Sequence, residues 1–257
     1  SPERSLEAAV KQLLENPPDL VPTNKRVTDG TLSTASGAYS RARTRMPDAA
    51  SRWLAERVSQ SLIEATPPSF GTRRVYVIDG ATLTLAPEPE VRRHFPPASN
   101  QHGPGAFPVA LLVVAQELSS GAALVPEVGP MYDTETHSET ALIQGCLTQI
   151  PPDSVVLADA GFGIFTVAYA ARQARQKFLL RLSPVRFQAL QRQATLVTQA
   201  AQSQTWSLEW QPTRVVRREH PELPSDARLE VHLHEVRIQL AAHVIDAVLG
   251  DDDLPID

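Results

Sequence analysis

VYVIDGATLTL (75–85) places one carboxylate, Asp79, in the middle of an otherwise apolar and β-branched run. VVLADAGFG (155–163) repeats the arrangement, with apolar residues, then Asp159, then Gly-Phe-Gly. Runs of this length and composition predict strands. A carboxylate within a covered strand is costly to desolvate unless something compensates it. Each acid has an ordinary local explanation. Asp79-Gly80 suits a hairpin turn that would split the first run into two short strands. Asp159 suits an N-cap for a helix starting near Ile164. The other reading joins them: if the two strands are neighbours, both carboxylates meet at one edge of a sheet.

Outward from these runs, the pattern predicts a mixed sheet. FPVALLVVAQEL (107–118) is a near-continuous apolar run, as expected for a strand covered on both faces. GAALVPEVGP (121–130) predicts a shorter strand after a turn at Gly121. HSETALIQGCLTQI (137–150) and IFTVAYAARQARQ (164–176) predict helices, and KFLLRLS (177–183) a further strand. Three strands before any helix argue against a strictly alternating doubly wound sheet. They suit antiparallel early strands joined to parallel later ones.

Upstream, apolar spacing predicts a helix within residues 5–14, ended by the prolines of NPPDLVPTNK (16–25). SGAYSRARTRMP (36–47) predicts a second helix, capped by Ser36. The next stretch, 47–65, is helical with Trp53, Leu54, Val58 and Leu62 on one face. TPPSFG (66–71) reads as a linker, giving a helical segment 1–66 and a main domain 67–257. After Pro184 the signal weakens. Residues 185–206 are Gln-rich and start helical, TWSLEW (205–210) and ARLEVHLHEVRIQL (227–240) alternate like antiparallel strands, and RREHPELPSDA (217–227) is a proline-rich loop.

Composition narrows the chemistry. The 257 residues suffice for a sizeable core, and no run has the ~18 apolar residues of a membrane helix. The charged, amphipathic start does not resemble a signal peptide, so a cytoplasmic protein is expected. One cysteine, Cys146, excludes an internal disulfide and a cysteine zinc site. No GxxxxGK[ST] loop occurs, so no nucleotide cofactor is expected. The net charge of −5 runs against the usual basic character of DNA-binding modules.

Two adjacent carboxylates suit a hard divalent cation, because Mg²⁺ takes oxygen ligands and binds through one or two carboxylates plus substrate phosphate. Gly80 and Gly161 would leave backbone room for that phosphate. The segments VIDGATLTL, GAFPVALLVVAQEL, SETALIQGCLTQIPPDSVVLADAGFG and KFLLRLS, in this order, resemble the catalytic core of bacterial insertion-sequence DDE transposases, in the branch with a Tyr/Arg/Glu/Lys signature around its third acid. SGAYSRARTRMP resembles the helix preceding that core, and RREHPELPSDARLEVHLHEVRI resembles its β-rich insertion. The resemblance implies an α/β, RNase H-like fold: a five-stranded mixed sheet flanked by helices, a small helical N-terminal segment, and a β-rich insertion at about 184–240. It implies Asp79 and Asp159 as the first two metal-binding acids, Mg²⁺ (or Mn²⁺) as cofactor, and DNA as partner, both transposon ends and target. The implied activity is metal-dependent cleavage and strand transfer.

The sequence departs from that family in two places. Ala160 stands where an Arg is common after the second acid. No Tyr-x2-Arg-x3-Glu-x6-Lys spacing follows; after Leu240 comes AAHVIDAVLGDDDLPID (241–257), so the helix carrying the third acid is expected to be missing and catalysis impaired. Glu235, Asp246 and Asp251 to Asp253 read as solvated charges instead of substitutes. A non-catalytic DNA-binding or dimerising remnant, which would interfere with a full-length transposase, is the alternative, and a homodimer is a candidate state. Arg41, Arg43 and Arg45, with Arg217 and Arg218 in the insertion, are candidate phosphate contacts or plain solvated surface. His232 and His234 share a strand face without a third ligand.

Overall fold

The structure, a computed structural model, describes Ala8, Lys11, Glu15 and residues 25–31, 36–68, 70–101, 103–132 and 139–236. Most of the expected helix in 5–14, and everything after Val236, lie outside the described residues. The chain divides into two compact units, Ser1–Arg57 and Val58–Asp257. The first contains α1 (Lys25–Thr28), α2 (Ser36–Arg45) and the start of α3 (Asp48–Ala65). Pro47 separates α2 from α3, and its carbonyl accepts from Ala50 N–H at 2.9 Å, so α3 starts at once. Along α3 the four apolar residues Trp53, Leu54, Val58 and Leu62 are exposed, and Ile63 is the buried one.

The second unit is built on β1 (Val75–Thr84). Contrary to the hairpin reading, β1 runs unbroken through Asp79-Gly80 for 10 residues. Nine successive residues, from Tyr76 to Thr84, pair antiparallel with β4 (Val109–Glu117), which leaves no room for a turn. Between them lie a short helix α4 (Pro89–His94) and the two-residue strands β2 (Ser99–Asn100) and β3 (Gly103–Pro104). β5 (Glu127–Pro130) pairs antiparallel with β4, while β6 (Val155–Ala158) and β7 (Lys177–Leu180) extend the other side in parallel. The order β5-β4-β1-β6-β7 gives a mixed five-stranded sheet, with helices α5 (Glu139–Gln149) and α6 (Phe165–Gln173) supplying the parallel crossovers. This is the RNase H-like arrangement.

One face of that sheet is closed. Tyr76, Ile78, Val113, Ala115 and Val156 pack with Ile143, Cys146 and Leu147 of α5 and Val167 and Ala171 of α6. The other face is not. Coverage of β4 on both faces was expected; instead burial alternates, with Leu111 and Val113 buried and Leu112 and Val114 half-buried. Leu179 of β7 is 60% exposed on that second face. At the far end of β4, Glu117 is fully buried, 3.5 Å from the Arg74 guanidinium, and accepts from both the N–H and the hydroxyl of Ser120 at 2.7 Å.

Beyond β7 lie α7 (Pro184–Gln191), β8 (Thr195–Gln199), β9 (Ser203–Trp210), α8 (Arg214–Glu219) and β10 (Leu229–Val236). The three strands form a separate antiparallel sheet, β10-β9-β8. β8 falls within the Gln-rich stretch that showed no strand pattern, since all five of its residues are exposed. Part of the expected loop 217–227 is helical: Thr213 caps α8 by accepting from Val216 N–H. Leu229, Val231 and Leu233 of β10 and Trp206 and Leu208 of β9 form a second core with Phe165 and Ala168 of α6.

Candidate functional site

The parallel register sets the geometry of the two acids. Ile78 of β1 pairs with Ala158 of β6, which pairs with Leu180 of β7. Asp79, Asp159 and Arg181 are each one residue further on, at one level of three adjacent strands spaced about 4.8 Å apart. Alternation along β1 turns Asp79 to the face opposite Ile78, and the register brings the first residue after β6 and the first after β7 level with it. The row reads carboxylate, carboxylate, guanidinium, and all three residues are exposed. Burial of the acids, which the apolar flanks suggested, is therefore corrected. β1 is buried or half-buried through Ile78, and from Asp79 onward only Gly80 is half-buried, the rest being exposed.

Each carboxylate is held by one oxygen. Gly80 N–H donates to Asp79 Oδ1 at 2.9 Å, and Gly161 N–H donates to Asp159 Oδ1 at 2.9 Å. Among the described residues Oδ2 of both acids has no hydrogen-bond partner. The cap reading of Asp159 does not hold. α6 begins at Phe165 behind Ile164, which caps without any side-chain hydrogen bond, and Asp159 instead closes a turn on its own loop.

The loop Asp-Ala-Gly-Phe-Gly is shaped by close approaches. A Cβ at Gly161 would lie 3.1 Å from Asp159 Oδ1, so the space beside this glycine is taken by the acid itself and not left for a ligand. A Cβ at Gly163 would press into the Arg181 carbonyl oxygen. Phe162, between them, is buried in the first core. The Ala160 carbonyl accepts from Arg186 Nη1 at 2.7 Å, a contact reaching across 26 residues from α7. Arg181 and Arg186 carried no signal in the sequence, since only the strand register and the packing of α7 bring them to Asp159.

The other candidates are elsewhere. Arg41 and Arg45 are exposed on α2 in the first unit, and Arg43 is on the same helix. Arg217 Nη1 donates to the Pro224 carbonyl at 3.1 Å and thereby fixes the loop after α8. Arg218 is exposed, 3.9 Å from Glu219. His234 Nδ1 is 3.0 Å from Thr205 Oγ1, and its ring centroid is 6.2 Å from that of His232, a pair with no third ligand among the described residues.

A divalent cation fits the donor set in part. Two neighbouring carboxylates, each with one oxygen fixed and one open, are hard ligands of the kind Mg²⁺ takes. Among the described residues no group of three acidic, histidine or cysteine ligands occurs. No described helix is long and apolar enough to cross a membrane.

No family model and no curated protein matches this chain. Two solved structures show a loose likeness. A Mos1 transposase paired-end complex with left transposon end is 15% identical over 70% of this chain and 59% of that one, with a TM-score of 0.27. The Mos1 strand transfer complex is 14% identical over 71% of this chain and 60% of that one, with a TM-score of 0.26. Superpositions this loose carry no weight for fold or function, which rest on the sheet order and register.

Proposed function

We propose that this chain is an RNase H-like core of the DDE transposase kind, acting on DNA through Asp79 and Asp159. The observation that carries the reading is the register, which supports two open carboxylates side by side at the carboxyl rim of adjacent parallel strands. Mg²⁺ or Mn²⁺, held by the two aspartates, would polarise a phosphodiester oxygen and lower the pKa of a bound water. Gly80 and Gly161 keep each carboxylate in one orientation through their N–H groups. Arg181, exposed on the next strand and in no ion pair among the described residues, is suited to a DNA phosphate beside Asp159. Arg217 and Arg218, and Arg41, Arg43 and Arg45 on α2, are further phosphate contacts in this reading. The unit made of α7 to β10 would correspond to the β-rich insertion.

The described residues place two acids where the resemblance calls for three, and misplacement of about 1 Å in a catalytic group can cost ~100-fold in rate, so slow turnover is expected of these residues alone. The test is nicking of supercoiled plasmid with Mn²⁺. Slow nicking is expected from the unmutated protein, abolished by Asp79→Asn and by Asp159→Asn. Equal nicking by all three proteins would refute the assignment. The two-acid donor set favours a second reading, a non-catalytic DNA-end binder. It predicts a salt-sensitive shift of terminal DNA with no nicking, and it fails if no shift occurs at low salt.

A further inference from the structure

We infer that Arg186 is a positioning residue for Asp159, clamping the turn that aims the second acid; the inference rests on the metal-site reading above. Between the end of β6 and the start of α6 the chain has only six residues in which to reverse and enter the helix. Most of these already have a fixed partner. Asp159 Oδ1 accepts from Gly161 N–H, Phe162 is anchored in the core, its carbonyl accepts from Ile164 N–H at 2.8 Å, and Gly163 is wedged against the Arg181 backbone. The peptide after Ala160 lies inside the turn closed by Asp159 and Gly161. Rotation of that peptide would swing the Gly161 N–H away from the carboxylate. Among the described residues its carbonyl is held by Arg186 alone, through Nη1 at 2.7 Å.

Arg186 is itself well placed to hold. It stands in the first turn of α7, where Ser183 Oγ accepts from its N–H at 3.4 Å and Pro184 sets the helix start. The next residue, Phe187, meets Trp206 of β9 edge to face, with ring centroids 5.7 Å apart. A continuous physical path therefore runs from the second sheet through Phe187 and Arg186 to the Ala160 carbonyl and Asp159. By this route the three-stranded sheet sets the direction of an acid on the five-stranded one. Arg186 has no carboxylate within ion-pair distance among the described residues, so its hydrogen bond to the carbonyl is its one fixed role there.

The test compares Arg186→Ala, Arg186→Lys and Arg192→Ala, an exposed arginine at the other end of α7. Backbone ¹⁵N relaxation at Gly161 and Mn²⁺ affinity by electron paramagnetic resonance are measured on each protein as the whole 257-residue chain. In Arg186→Ala the Gly161 order parameter should fall from about 0.85 to below about 0.6. Mn²⁺ affinity should fall at least about tenfold, which is about 1.4 kcal/mol. Arg186→Lys, which keeps one N–H donor, should restore most of both, and Arg192→Ala should change neither. Unchanged Gly161 mobility in Arg186→Ala overturns the clamp. Greater mobility with unchanged affinity also overturns it, since Arg186 would then only stiffen a loop. An unmutated protein that binds no Mn²⁺ overturns the metal-site reading instead, and the Gly161 measurement still decides the clamp.

Discussion

Glu117 shows how a charge is kept inside this protein. Its side chain is fully buried at the end of β4. Burial pushes the carboxyl pKa up, but the Ser120 hydroxyl, the backbone N–H groups of Ser120 and Ser119 and the Arg74 guanidinium outweigh it, leaving the group below its ordinary value of 4.5. A depressed folded-state pKa means the stabilisation is full above 4.5 and is lost as pH falls through the lower folded value. Glu117→Gln should cost about 3 kcal/mol at neutral pH, because it leaves Arg74 half-buried and unpaired. Its thermal midpoint should also fall less steeply than that of the unmutated protein below pH 4.5, as melting curves at a series of pH values would show. Parallel curves for the two proteins would exclude a buried, ionised Glu117. The sequence offered nothing to single out this residue over other glutamates, since its cost and its compensation both come from tertiary neighbours. Asp79 and Asp159 were legible for the opposite reason: an acid between apolar residues in a strand is visible in one dimension. What those flanks did not reveal is that both acids are open to solvent.

The elements were mostly legible where burial leaves a period. α6 follows its apolar pattern, and β10 alternates from Leu229 to Leu233 between buried and exposed. β8 was not legible because it buries nothing, and α8 was hidden by the prolines that follow it. Asp79-Gly80 misled as a turn signal because pairing along nine residues of β4 outweighs a local preference worth less than one such ladder. The connection between β6 and α6 reads in sequence as leaving room for a phosphate at Gly161, but the Asp159 carboxylate takes that space. Its second glycine is needed because the Arg181 carbonyl lies where a Cβ would be, and backbone cannot move aside as a flexible side chain would. Gly163→Ala should destabilise the protein by about 2 kcal/mol, in the range of overpacked sites. Denaturant midpoints would measure this, and amide shifts should spread to Arg181 and Asp159. A stability gain with shifts confined to residues 162–164 would show that the loop and β7 are not in contact.

At the scale of the whole second unit, the two sheets share their supports. α6 faces the first core with Val167 and Ala171 and the second with Phe165 and Ala168, so one helix closes both. Phe178 and Leu180 of β7 pack against both cores as well. Neither sheet can lose its partner surface without exposing the same helix and strand, and cooperative units follow such shared burial. The three-stranded sheet should therefore unfold with the five-stranded one in a single transition. Trp206 and Trp210 report on the second sheet, and replacing Trp53 by Phe removes the one tryptophan of the first unit. In that background, tryptophan fluorescence and far-ultraviolet circular dichroism should give coincident urea midpoints. Phe165→Ala, which removes a ring stacked 5.6 Å from Tyr169 and edge-on to Trp210 at 5.7 Å, should lower both midpoints together, through a loss of about 3 to 5 kcal/mol in stability. If fluorescence moved alone, with the dichroism transition left in place, the sheets would be independent, and a clamp from α7 onto the Asp159 turn would have no rigid base to act from.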